Sequence, residues 1–217
     1  GNREALAALE RLSGEAGHGL AIAEILEPLY RSHGEHQKLI AVHEVQVVQS
    51  DDPQRKVELL HQIASLQEDA AGDAHAAFTT LSRALAVDPS NEGTRQGIDR
   101  LARITGRLLD LASVYESLAS QQNDPELGSQ LFAAAAHVFE HDVPNVDRAI
   151  GLYQHVLAID PQNLGAAESL QALFQSSERY AEMSQVLQRK ASMLEDVEAQ
   201  KSALYQAALL EEEVLER

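Results

Sequence analysis

The segment LAVDPSNEG at 85–93 returns as LAIDPQNLG at 157–165, so that Pro161 lies 72 residues after Pro89. The same gapless offset carries Leu29 onto Leu101 and Leu173, Val42 onto Val114 and Val186, and Asp52 onto Asp124 and Asp196. Gly34 falls on Gly106, Pro53 on Pro125, Ala64 on Ala136 and Ala208, and Ala77 on Ala149. A long fixed period demands a fold in which one supersecondary unit is stacked on the next, because no single unit can bury its apolar face alone.

Each period reads as four helices in two hairpins. In the second period a helix over 92–105 follows Asn91 as N-cap and ends at Gly106, where a left-handed residue closes a helix at least cost. A second helix runs over 108–121. Asp124 caps a third, with Pro125 at the first helical position, where a missing N–H is harmless. The fourth runs over 146–159, with Ile150, Tyr153, Val156 and Leu157 at helical spacing. Pro28 lies inside the helix drawn from Leu20 to His33, which predicts a kink or a late start. Residues 2–12 resemble 91–101 or 163–173, yet a hairpin follows only after SGEAGHG; they predict an offset capping helix or the end of a preceding repeat. Alanine and leucine dominate, aromatic residues are 4% and tryptophan is absent, which suits helices packed through small faces.

The third and fourth helices carry a pattern. Phe132, Ala135, Ala136 and Phe139 are followed by Ala149, Tyr153, Val156 and Pro161. Leu60, Ile63, Ala64, Gln67, Ala77, Leu81, Ala84 and Pro89 hold the same places one period earlier. This resembles the tetratricopeptide repeat, and paired hairpins of this kind resemble the helical-repeat arrays of myxobacteria. Here the turn between the helices is one residue longer, Gln67 stands where the family has an aromatic, and the hairpins 20–50 and 92–121 match loosely. The resemblance implies an all-α, right-handed α-solenoid of about twelve helices. One continuous domain, 1–217, divides into an N-terminal helix and linker (1–19), unit 1 (20–91), unit 2 (92–163) and a shortened unit 3 (164–217). The fourth helix of unit 3 is missing, so the last helix, 197–214, is expected to leave Leu204, Ala208 and Leu210 partly uncovered and open to self-association or fraying.

The stretch His137–His141, HVFEH, matches an inverted zinc-protease motif, two imidazoles one turn apart with a carboxylate between them. The repeat argues against that role. Its equivalents are Ser65, Glu68 and Asp69 in one direction and Leu209, Glu212 and Glu213 in the other, and spacing supplies no third ligand. A zinc hydrolase is the weakest reading, and no metal or other cofactor is expected. Cysteine is absent, which excludes thiolate nucleophiles and zinc–cysteine sites. No phosphate loop, dinucleotide fingerprint or serine elbow occurs. His33, His36 and His18 sit in turns or linkers, and His43, His61, His75 and His155 are scattered.

With 34 acidic and 17 basic residues the formal net charge is −17, which repels phosphate backbones and anionic headgroups and speaks against nucleic-acid or membrane partners. The compartment is not fixed by these features; the cytoplasm is favoured. The family resemblance implies a groove lined by the first helix of each hairpin. At matched positions stand Glu58, His61, Ser65, Glu68, Asp69, Gln130, His137, Glu140, His141, Tyr205 and Glu212, with Gln96 and Arg103 from the looser hairpins. The expected function is a non-catalytic scaffold or adaptor that holds a protein or peptide, of basic character, on that face. A structural spacer or self-assembly arm is the alternative. Glu58, Glu68, Asp69, Glu140, Glu212 and Glu213 are expected to form an acidic ladder.

Overall fold

The computed structural model describes Leu9 and residues 19–214, with side chains up to Glu212. The N-terminal helix and linker expected over 1–19 lie outside the described residues, apart from Leu9 and Gly19. The described chain contains no strand. Its helices are α1 (Gly19–His33), α2 (His36–Gln49), α3 (Pro53–Ser65), α4 (Ala74–Val87), α5 (Glu92–Thr105), α6 (Leu108–Gln121), α7 (Pro125–His137), α8 (Val146–Ile159), α9 (Leu164–Ser176), α10 (Tyr180–Met193) and α11 (Val197–Leu209). Contacts group them into two compact units, Gly1–Arg107 and Leu108–Arg217. Within the first, each of α1 to α5 packs on the next; within the second, α6 to α11 do the same. This is the nearest-neighbour packing of an all-α solenoid.

The helix ends show why the period is so regular. Carboxylate or amide side chains cap the helices by accepting from free backbone N–H groups: Asp52 from Gln54, Asp124 from Glu126, and Asp196 from Ala199. Asp73 and Asn145 do so for α4 and α8, Asn91 and Asn163 for α5 and α9. Each set recurs at the 72-residue interval. The first helix of each period ends on a left-handed residue: Gly34 at φ 66°, Gly106 at 69° and Glu178 at 57°. One residue on, the N–H groups of Glu35, Arg107 and Arg179 reach back to the carbonyls of Tyr30, Ala102 and Phe174 at 2.8–3.0 Å. That bond closes the turn and sends the chain into the antiparallel helix.

The third helix of each period ends differently. Leu66–Ala70, Val138–Asp142 and Leu210–Val214 form π-helical turns that continue α3, α7 and α11. In the first two, N–H groups of Ala71 and Val143 bond to the carbonyls of Leu66 and Val138, five residues back, at 3.1 and 2.9 Å. This widening accounts for the extra residue in the connection. Of the two outcomes expected at Pro28, the late start does not occur: α1 begins at Gly19 and runs through the proline to His33, with Pro28 on an exposed position.

The core follows the small positions. Ala64, Ala77, Ala136 and Ala149 are each at most 5% exposed where the third and fourth helices meet. Leu60, Ile63, Phe78 and Leu85 fill the first unit beside them, as Leu131, Ile150, Tyr153 and Val156 fill the second. The fourth helix also lies close to the helix that follows. A Cβ placed on Gly97 of α5 would stand 2.8 Å from Leu81 Cδ1 of α4.

Two substitutions test this account by urea or thermal denaturation. Glu178→Gly relieves an L-residue held in left-handed backbone and should stabilise the protein by about 0.5–1 kcal/mol. Ala136→Leu should overpack the α7–α8 contact and cost about 1–3 kcal/mol; an unchanged midpoint would mean the register is wrong.

Candidate interaction surface

In the first unit the expected surface residues of α3 occupy three different environments. Glu58 is exposed and paired along its own helix with Arg55 at 3.1 Å. His61 is half-buried, with Nε2 2.7 Å from Thr94 Oγ1 on α5. The Thr94 hydroxyl donates to Asn91 Oδ1, so its oxygen is the acceptor and His61 Nε2–H the donor. Burial lowers the His61 pKa, keeping the ring neutral near pH 7. Ser65 is exposed and donates to Asp69 at 2.9 Å.

Glu68 departs from the expected ladder. Both its oxygens are held by the Arg100 guanidinium, at 2.5 and 2.6 Å. The Arg100 hydrogen bonds pull its carboxyl below the usual range. Its charge is therefore matched by Arg100 on α5. Gln96 and Arg103 lie exposed on α5, Gln96 bonded to Glu92 at 2.8 Å.

His61 and Ser65 line a cleft of about 410 Å³ with Arg31, His36, Leu39, His43, Gln62 and Leu66. The scattered histidines of the sequence are thus partly gathered. His36 and His43 stand two turns apart on α2 and share a helix face, a spacing visible in the sequence; the approach of His61 depends on how α2 packs on α3. A polar relay orients His43, which is 1% exposed. The Gln46 amide donates to Glu27 at 2.9 Å, which turns its oxygen toward His43 Nδ1 at 3.0 Å. Nδ1 must then carry the proton, and in the neutral ring Nε2 is left with a lone pair.

In the second unit the rings of His137 and His141 stack face to face, centroids 4.3 Å apart and planes 10° from parallel. Glu140 lies between them in sequence but turns to α8, where it accepts from the Tyr153 hydroxyl at 2.7 Å. His141 Nδ1 is 3.6 Å from the same carboxylate. Burial first, and the hydrogen bond to Glu140 second, push the Tyr153 phenol up to about 12. Among the described residues, no three histidine, cysteine, aspartate or glutamate side chains are grouped as a metal ion would need. Gln130 joins Glu126, Ser129, Asp160 and Asn163 around a separate cleft of about 480 Å³. Tyr205 and Glu212 stand exposed on α11 and its π turn and line neither cleft.

No family model matches the chain, and no characterised protein matches it in sequence. Solved structures match it in fold. MamA from Desulfovibrio magneticus RS-1 is similar at 13% identity and a TM-score of 0.41, over 82% of this chain and 97% of that one. The TPR domain of P58(IPK) is similar at 18% identity and a TM-score of 0.37, over 98% of this chain and 62% of that one. BtubC from P. vanneervenii is similar at 14% identity and a TM-score of 0.33, over 97% of this chain and 88% of that one. These likenesses are of fold alone. No helix among the described residues is long and apolar enough to cross a membrane.

The buried imidazole of His61 gives a pH test. Its pKa is below 6.5 in the folded state, so near and below that pH the unfolded chain binds more protons. The stability it supports is complete above pH 6.5 and is lost as the pH falls through the folded value. In urea titrations between about pH 8 and pH 5, His61→Gln should flatten the acid-side decline relative to wild type.

Proposed function

We propose that the chain is a non-catalytic protein-interaction scaffold that holds segments of another protein in the clefts beside its third helices. The observation that carries the reading is the first-unit cleft. There Leu39 and Leu66 offer an apolar floor, while His43, Gln62 and Ser65 supply a few fixed polar groups. That combination of size, apolar lining and sparse polar groups suits insertion of a single side chain from a partner.

The second-unit cleft has another character. Glu126 and Asp160 border it beside Gln130 and Ser129, which suits a lysine or arginine of the partner. The acids of this cleft support the basic partner inferred from net charge, whereas Glu68 is already paired with Arg100. Catalysis finds little support in the HVFEH stretch: Glu140, the residue that would act as base, is engaged by Tyr153.

Site-specific photo-crosslinkers test the reading. Placed at Ser65 and Gln130, they should trap a common partner in cells that express the protein. Placed at exposed Thr79 on α4 and Ser113 on α6, they should not. Equal capture at all four positions would remove the clefts from the account. The charge reversal Glu126→Lys should weaken capture at position 130 by about tenfold or more, in keeping with loss of one or two charge-assisted contacts.

A further inference from the structure

Ser129 is a buried polar side chain that its own surroundings leave unsatisfied. It is 4% exposed on α7 and lines the second-unit cleft of about 480 Å³. Its hydroxyl makes no hydrogen bond with any described residue. Other helix serines turn back on their own backbone, Ser82 on the Phe78 carbonyl, Ser113 on that of Leu109 and Ser120 on that of Glu116. A buried hydroxyl without a partner costs stability, so a group that enters the cleft gains by meeting it.

The repeat separates what the fold needs at this place from what it does not. One period earlier, Gln54, Val57, Asp88 and Asn91 hold the positions of Glu126, Ser129, Asp160 and Asn163. Asp88 and Asp160 both accept from the N–H two residues on, at 3.0 and 3.1 Å, and Asn91 and Asn163 both cap the next helix. Those two places are structural. Ser129 and Glu126 are not, since valine and glutamine serve in the first unit.

Neither acid of the cleft meets a cation, and no lysine, arginine or histidine lines it. Among the described residues, the Glu126 carboxylate has one long bond, from Gln130 Nε2 at 3.5 Å. Asp160 accepts one N–H at each oxygen, from the Gln162 backbone and from Asn163 Nδ2, both at 3.1 Å. A guanidinium is best met by a carboxylate with both oxygens open to its planar fork. This cleft instead leaves one acceptor on each of three groups, and an ammonium carries three donors. Pro125 and Ile159, the latter 36% exposed, border the cleft and give methylene groups an apolar wall.

We infer that the second-unit cleft takes an unmodified lysine side chain of the partner, which rests on the scaffold reading above. The ammonium donates to Glu126, Ser129 Oγ and Asp160, and its stem lies along Ile159. Trimethylation keeps the charge but removes every N–H, and acetylation removes the charge, so either modification of that lysine releases it.

Isotopically labelled protein, titrated with a blocked alanine pentapeptide that carries lysine at its centre, gives the test by NMR. The amides of Ser129, Gln130, Ile159 and Asn163 should shift and saturate. Affinity should stand about tenfold above that for the arginine and trimethyllysine counterparts, with no response to acetyllysine. Ser129→Ala should weaken the lysine peptide about fivefold or more and leave the other two cationic peptides unchanged, with the same helix content by circular dichroism. Equal affinity for all three cations overturns the inference, because it marks a negative field without recognition. So does lysine binding that is indifferent to Ser129→Ala, or the absence of any shift at these amides at millimolar peptide. In that last case, partner capture by the crosslinker at Gln130 would leave the scaffold reading standing without the lysine site. Capture lost at both Ser65 and Gln130, beside an intact lysine response, removes the scaffold reading and keeps the site.

Discussion

Small buried residues between paired helices are the constraint on which the rest of this molecule depends. Where α3 meets α4 and α7 meets α8, the missing side-chain bulk at Ala64, Ala77, Ala136 and Ala149 lets two helices approach, and the larger residues interlock around that point. Tight packing of this kind makes each interface sensitive to a single methylene but indifferent to surface chemistry. It explains how a chain with 4% aromatic residues and no tryptophan can hold a core within each unit. It also leaves the outer helix faces free to vary, and their charges differ from copy to copy.

A second set of links ties alternate helices together. Five arginines among the described residues each reach 32 positions back. Arg100 binds Glu68, Arg107 the His75 carbonyl, Arg148 Glu116, Arg179 Asp147, and Arg189 the Leu157 carbonyl. Most are exposed, and each is worth little in water. Their effect is on the charge presented outward. With three carboxylates clasped in this way, the acidic surface is patterned locally rather than uniformly negative.

The helices were legible in the sequence because their ends are written locally. Aspartate or asparagine before a helix, proline at its first position and glycine after its last are short-range signals, and the boundaries 92–105, 108–121 and 146–159 follow from them. The π turns were legible only as one residue too many, since five-residue hydrogen bonding leaves no residue-type signature. The surface was less legible still. Glu68 and Glu140 read as free acids because the partners that engage them, Arg100 and Tyr153, come from other helices. The gathering of His36, His43 and His61 needed the packing of one helix on another. Asp124 caps its own helix through a neighbour two residues away; Arg100 finds its partner only after a hairpin has closed.

The π turns act as a change of phase. In an α-helix each residue advances about 100° around the axis, so one residue absorbed by a wider loop rotates everything beyond it by nearly a third of a turn. Upstream of the turn, α7 aims Leu131 and Ala135 into the core; within the turn, Glu140 reaches the hydroxyl of Tyr153. Because the shift recurs at Leu66, Val138 and Leu210, it works like a gear tooth cut at the same place in every period, keeping the copies in step although the residues on the tooth have diverged.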